Sequence, residues 1–524
     1  MKTTKKIMML CCLMVLAATS YGQIHPWGYY SPWTGYDFST ECETGQTLYY
    51  RIIDSVNYEV SLTHPAPYSQ VTLDFWEGYD KPTGDIVFPS EVTHEGQTYT
   101  ITVIDDGTFM FCGGMTGTLV IPNTVTFIGY HAFDGCYRFT GSLEIPDGIT
   151  IIGDLAFNGL NNITGEINIP NSVVAIGEKA FASFWKITAF RIPESVTYLA
   201  PGFIWACEKL VTLEVDENNP VYYSESNAVI ERETKRLVQG TKTTVIPEDI
   251  TIIGAMAFEA VENKGNLVIP QSVISIEDEA FKYAHFTGTL NLPENLEYIG
   301  KYAFYFSYCT GALYIPDGVS YIGEYTFTNS GFSEIHLPKS LKTIEGNTFY
   351  NCTRLEMVEI QSEVDSIGSG VFQYCNRLNC LKVHCEVPPE CWYSAFSGVS
   401  RDIPVHIPVG TLADYQSAPF WNEFTNFIED GLMSVDENEA NHIQISVYPN
   451  PAKDELNIDI SGLPEHNEHR IQITDALGRI CMDRVIRGEG NVLTLGVSGL
   501  KAGVYVYRVY DAEGVLIEGK FVKE

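Results

Sequence analysis

The sequence predicts a mainly β chain: a solenoid of about 12 turns of 22–24 residues, followed by a small β-sandwich. Three observations carry this. A 23-residue grammar is rewritten many times, most legibly across 290–316, where LNLP at 290 is answered by LYIP at 313. Phenylalanines recur with it at 109, 133, 157, 181, 203, 258, 281, 304, 327, 349, 372 and 396, so the period stays at 22–24 residues except for one gap of 55. The last 80 residues, 445–524, abandon the period for short alternating apolar segments separated by Gly, Asn and Asp.

A chain of 524 residues exceeds one ordinary core, and an apolar share of 45% excludes wholesale disorder. The formal net charge of -34 argues against nucleic acid or an anionic membrane as the general partner, because each carboxylate repels phosphate and releases no counterion.

Residues 1–22 join a basic start to an apolar run from Ile7 to Ala18 and end on the small residues Ser20 and Gly22. That run is too short to span a bilayer and reads as a cleaved signal peptide; no later stretch offers the ~20 apolar residues of a transmembrane segment. Cys11 and Cys12 raise a lipoprotein alternative, but Met8, Met9 and Leu10 are not the small residues that lipidation needs. Residues 23–88 read as an N-terminal cap. Its aromatic-rich leader, Gln23 to Phe38, either stacks on a sugar or protein or runs loosely into the cap. The alternating segments between Gln46 and Pro89 read as strands that cover the first turn, which lacks a neighbour on one side.

The solenoid is assigned to 89–430, with a hairpin insert near 218–245 inside the long gap. In Leu143-Glu144-Ile145-Pro146 apolar residues flank a polar one, the period of a strand with one buried face. Pro146 lacks an N–H and ends the strand. Ile149 and Ile152 form a second apolar pair, and Gly153 is expected to take positive φ where the coil turns. Ala156-Phe157 then sets a small residue beside a large one. Stacking Phe133, Phe157, Phe181, Phe258, Phe281, Phe304, Phe327, Phe349 and Phe372 would give a continuous aromatic spine, each ring worth ~2–3 kcal/mol.

These residues resemble the BspA-like branch of the leucine-rich repeats, whose pattern is close to LxIPxxVxxIGxxAFxxC. LNLPENLEYIGKYAF at 290–304 and LYIPDGVSYIGEYTF at 313–327 match at many spaced positions, and the resemblance covers roughly 89–428. It implies a leucine-rich-repeat solenoid. Departures are local: Ala200-Pro201 before Phe203, Glu277 and Glu345 in place of Gly, and Gln361 in place of Pro. The insert NNPVYYSESNAVI is similar to a hairpin found between such repeats. The exit HIPVGTLADYQSAPFWNEFTNFIED resembles the family's closing segment, with Tyr415, Trp421 and Phe424 available to seal the last turn.

Residues 431–444 read as an acidic linker, with no basic residue from Glu429 to Lys453. Residues 445–524 carry the alternation of a small Ig-like β-sandwich. They resemble the type A sorting domain of type IX secretion in Bacteroidota through Tyr448-Pro449-Asn450-Pro451, Asp475-Ala476-Leu477-Gly478-Arg479, Leu500-Lys501-Ala502-Gly503-Val504-Tyr505 and Lys520-Phe521-Val522-Lys523. The resemblance implies recognition of 445–524 by the type IX machinery, export through the outer membrane, removal of the domain, and then surface attachment or release.

Eleven of the 13 cysteines follow the signal peptide, an odd number for an exported chain. Cys112, Cys136, Cys352 and Cys375 stand three residues after a repeat Phe, as free thiols in a buried slot would. The competing readings are a Cys385 to Cys391 disulfide or a zinc set from Cys375, Cys380, Cys385, Cys391 and His384. The spacing lacks a CxxC knuckle and Cys375 already belongs to the slot, so no metal is assigned.

No HExxH, GxSxG, GxxxxGK or EF-hand pattern occurs, so no catalytic residue or cofactor is assigned. His131 and His285 fall at variable repeat positions. The chemistry left to the chain is that of its outward strand residues: Glu144, Asn168, Arg191, Asn291, Tyr314, His336 and Glu359 are the candidate binding residues, with Val120, Glu214, Val268 and Lys382 in the same row. The expected function is non-catalytic binding or adhesion, outside the cell, to a protein or glycan. The alternative is a structural surface spacer with no specific ligand.

Overall fold

The computed structural model describes residues 35–66, 75–261 and 267–430, and in the C-terminal part the strands and a few linking residues between 447 and 523. Residues 1–22, read above as a signal peptide, most of the aromatic leader, residues 431–444, read as a linker, and much of the Tyr448–Pro451 and Asp475–Arg479 motifs lie outside these residues. The chain divides into two compact units, Met1–Met433 and Ser434–Glu524.

The first unit opens with an antiparallel meander, Phe38–Glu41, Thr47–Asp54 and Glu59–Thr63. Glu59–Thr63 pairs in parallel with Gln97–Ile104, and the parallel ladder continues through Phe127–Ile128, Ile151–Ile152, Ala175–Ile176 and Tyr198–Leu199. Cap and array thus share one sheet, and the meander covers the edge that the first turn would expose. Tyr50 is fully buried there, and Trp76 Nε1 donates to the Thr108 carbonyl at 3.1 Å.

Each turn also carries a Leu-x-Ile segment, and many of these pair as strands. In the C-terminal half Leu313, Ile335, Val358, Leu381 and Val405 lie in register in a parallel sheet that runs from Thr310–Tyr314 to Asn426–Asp430. The proline after the strand opens a tight turn: Ile149 N–H donates to Pro146 O at 3.1 Å and Val319 N–H to Pro316 O at 2.9 Å. Strands Thr212–Val215 and Pro404–Pro408 belong to turns with no repeat Phe, which brings the solenoid to about 14 turns rather than 12.

The role expected of Gly153 is corrected. It has no positive φ; a Cβ there would lie 2.7 Å from Gly129 C and 2.8 Å from Tyr130 N, so glycine is required because consecutive backbones touch. The left-handed conformation falls two residues later, on Leu155 (φ 56) and its counterparts His131 (φ 53), Lys179 (φ 52) and Tyr302 (φ 55). Such a conformation costs a side-chain-bearing residue ~1–3 kcal/mol, and the turn offsets it with bonds to the next coil. Phe133 N–H donates to Ala156 O at 2.8 Å and Phe157 N–H to Ala180 O at 2.9 Å.

The spine is also not continuous. Ring centroids are 5.4, 5.7 and 5.4 Å apart along Phe109, Phe133, Phe157 and Phe181. A second stack, spaced between 5.2 and 5.9 Å, runs through Phe258, Phe281, Phe304, Phe327, Phe349, Phe372 and Phe396. Between the stacks Phe203 meets Phe190 instead of a repeat Phe, and the Phe258 ring packs on Gly240, where a Cβ would be 2.1 Å away. The insert causes the break. Tyr222–Glu225 and Ala228–Glu231 form a hairpin and Arg236–Gln239 rejoins the parallel row. Alternate side chains of these strands enter different cores, Tyr222, Val229 and Val238 the first and Ala228, Ile230 and Leu237 the second.

Among the described residues the cysteines are thiols and not disulfides. The slot gives them a main-chain acceptor: the thiols of Cys136, Cys352 and Cys375 donate to the carbonyls of Phe109, Phe327 and Phe349 at 3.1, 3.3 and 3.3 Å. Burial pushes the Cys207 thiol up to about 12 and Cys136 well above the ordinary thiol range, so these groups are unreactive. Helix Leu412–Ser417 and the turn Trp421–Glu423 close the last coil. Trp421, fully buried, lies 5.2 Å from the Phe396 ring and donates to Pro389 O at 2.9 Å, while Tyr415 Oη donates to Cys385 O at 2.8 Å.

In the second unit Val447–Tyr448, Glu455–Asp459 and Val492–Gly496 form one antiparallel sheet. Ile480–Ile486, His469–Asp475, Gly503–Tyr510 and Val515–Lys523 form another. Leu456, Ile458, Ile471, Ile473, Leu493 and Val509 meet in a single core.

Candidate binding faces

Because Leu and Ile of each Leu-x-Ile strand point inward, the residue between them is forced outward on every turn. Glu144, Asn168, Asn291 and Tyr314 are exposed, as are Val120 and Val268. Arg191, His336, Glu359 and Lys382 are only half-exposed, because neighbours along the row engage three of them. Arg191 reaches Glu166 at 3.3 Å on one side and pairs with Glu214 on the other. Tyr314 lies flat on His336, with centroids 4.3 Å apart and planes 10° from parallel. His336 Nδ1 is 2.6 Å from Glu359 Oε2, and His384 Nε2 is 2.9 Å from Glu359 Oε1. These contacts hold the Glu359 carboxyl down at about 2, with the His384 bond as the largest cause. His406 continues the row and contacts Asp430. The row therefore presents one exposed aromatic ring, Tyr314, on a backing fixed by two imidazoles and a carboxylate.

Among the described residues no group of three or more His, Cys, Asp and Glu side chains is placed to hold a metal ion. His131 is buried against Asp134, whose Oδ1 accepts from Asn158 Nδ2 at 2.8 Å, and is an interior group with its polar needs met. His285 is half-buried, 5.1 Å from the Tyr308 ring.

The model of the BspA type leucine rich repeat region matches in six copies across residues 101–229, 239–311 and 306–401, more than half of the chain. The chain belongs to the BspA-type leucine-rich repeat family. Residues 446–524 of this BspA-type protein match the secretion system C-terminal sorting domain, so it is exported through the outer membrane to the cell surface or extracellular space. Among the described residues no helix is long and apolar enough to cross a membrane. Several solved structures are similar. A leucine-rich repeat protein from Bacteroides ovatus ATCC 8483 aligns at 19% identity and a TM-score of 0.41, over 75% of this chain and 100% of that one. The pneumococcal vaccine antigen PcpA aligns at 15% identity and 0.43, over 76% and 100%. A leucine-rich repeat protein from Eubacterium ventriosum ATCC 27560 aligns at 19% and 0.43, over 69% and 95%. No curated protein matches.

BspA-type patterning draws attention to the strand row and away from a second surface. Tyr302 and Tyr325 stack at 4.9 Å, Tyr298 and Tyr321 at 5.2 Å, and Tyr283, Tyr305 and Phe306 pack edgewise beside them. Lys282 sits 5.7 and 5.5 Å from the Tyr283 and Tyr302 rings and 2.7 Å from Glu279. The signal was present: YAFYFSY at 302–308 places aromatics one, two and four residues after a repeat Phe, positions that the repeat itself leaves free.

Proposed function

We propose that this exported protein binds an extracellular protein or glycan without catalysis, using the strand row centred on Tyr314 and His336. One observation carries the reading. An exposed tyrosine is stacked on a histidine that a carboxylate pins, so the ring is pre-oriented and loses little freedom when a partner covers it. The two-sheet C-terminal unit serves as an Ig-like sorting module that delivers the repeats and is then removed.

The purified chain should bind saturably to at least one member of a panel of matrix proteins and glycans, and Tyr314→Ala or His336→Ala should abolish that binding. A second reading, a structural spacer, draws support from the Glu166–Arg191–Glu214 ladder, whose charges satisfy one another along the coil. No binding across the panel would favour it.

A further inference from the structure

A separate row of side chains lies where each turn leaves its Phe and enters the Leu-x-Ile strand. The fourth and fifth residues after Phe133 are Tyr137-Arg138, and those after Phe181 are Trp185-Lys186. A ring followed by a cation thus recurs two turns apart. All four side chains are exposed, the rings at 49% and 45%. On the turn between them Asn162 Nδ2 donates to Tyr137 O at 2.8 Å, and Asn162 Oδ1 accepts from Lys186 Nζ at 2.7 Å. These bonds align three consecutive coils, which puts the two ring-and-cation pairs ~10 Å apart at ~4.8 Å per strand.

One turn earlier Phe111, 44% exposed and two residues after Phe109, stands beside the row. Glycines seat the rings: a Cβ on Gly135 would be 2.7 Å from Phe111 Cδ1, and one on Gly113 would be 2.4 Å from Tyr137 Cε1. Both rings rest on bare backbone. The shallow depression between them is lined by Phe111, Gly113, Gly114, Gly135, Tyr137 and Arg138, with no carboxylate among them. In a chain with 66 acidic and 32 basic residues, that is a local reversal of charge.

A pyranose ring offers an apolar face to an aromatic side chain, and a uronic acid adds a carboxylate that a guanidinium holds by two parallel hydrogen bonds. We propose that this edge binds a linear polysaccharide containing uronic acids, with Tyr137 and Trp185 stacking on sugar rings and Arg138 and Lys186 pairing with carboxylates. The inference rests on the binding reading above but places the ligand on a different face. A single-stranded nucleic acid also combines rings with negative charge, but it binds along a continuous basic groove, whereas the turn between the two cations here carries the neutral Asn162. The repeats supply an internal control. Arg354 and Arg377 hold the same fifth position but follow Thr353 and Asn376, so neither has a ring at the fourth position.

The test is titration calorimetry of the full chain with polygalacturonate, its fully methyl-esterified form and a single-stranded oligonucleotide. Saturable binding of polygalacturonate is expected, weakened ~10-fold or more by esterification, by Trp185→Ala and by Arg138→Gln, each removing about one good contact. Lys186→Gln should act in the same direction, and Arg354→Gln should change nothing. No binding of polygalacturonate, equal binding of the ester, tighter binding of the oligonucleotide, or insensitivity to the edge variants would overturn the proposal. Loss of binding in Tyr314→Ala but not in Trp185→Ala would also overturn it, while supporting the strand-row reading.

Discussion

Gly153 and Leu155 divide two demands that a turn usually makes of one residue. The first must have no side chain because Gly129 and Tyr130 backbone atoms fill that space; the second must accept φ of 56 while keeping a side chain. Gly153→Ala should therefore destabilise the array by ~2–4 kcal/mol, since two backbones have to separate, and urea unfolding will show it as a lowered midpoint. The recurrence of glycine was legible in the sequence, but its reason was not. Positive φ and close approach leave the same letter, and only the neighbouring coil distinguishes them. Glu359 gives a prediction of the opposite kind, set by charge. Its carboxyl is held at about 2, below the ordinary value of 4.5, chiefly by His384 and then His336. A depressed value means that the folded state favours the carboxylate, so the stabilisation is complete above pH ~4.5 and is lost as pH falls toward ~2. The difference in melting temperature between wild type and Glu359→Gln should accordingly be clear at pH 5 and vanish near pH 2. A difference that stays constant across this range would mean that the carboxylate is not the source.

At the scale of elements, the Phe stacks explain why the repeat persists through departures such as Glu277 and Glu345. Phe304 lies between Phe281 at 5.2 Å and Phe327 at 5.5 Å, fully buried, so both of its faces are covered by rings. Phe304→Ala should cost ~3–5 kcal/mol by lost burial and a residual cavity. Phe258→Ala should cost less, because one of its partners is Gly240 and not another ring. Equal losses in denaturant titrations would show that ring stacking adds nothing to burial. The period, the strand, its proline stop and the place of the insert were all readable from spacing alone. The break in the spine was not. It arises because the side chains of three inserted strands alternate between two cores, and a gap of 55 residues says nothing of which way each side chain points. The aromatic surface around Tyr302 and Tyr325 was overlooked for a related reason: a motif defined by what repeats gives no weight to residues that vary.

For the whole molecule, architecture and delivery were far more legible than ligand recognition, and the physics of the two parts explains why. Repeats write the core many times over, whereas a binding face is written once, in the letters left free. The two units also keep separate cores. The repeats are built on the clusters around the two Phe stacks, and the C-terminal unit on Leu456, Ile471, Leu493 and their neighbours, with no residue in common. Folding of the repeats is therefore expected to proceed without the sorting domain, and export is expected to need it. Deleting 445–524 should leave the thermal unfolding of the repeat array within about 1 °C, because each unit's core is built from its own residues. The same deletion should trap the chain in the periplasm, where fractionation and protease accessibility of whole cells will find it protected. Unchanged surface exposure of the truncated chain would show that delivery is encoded elsewhere. A large drop in melting temperature would show instead that the sorting unit stabilises the repeats it carries.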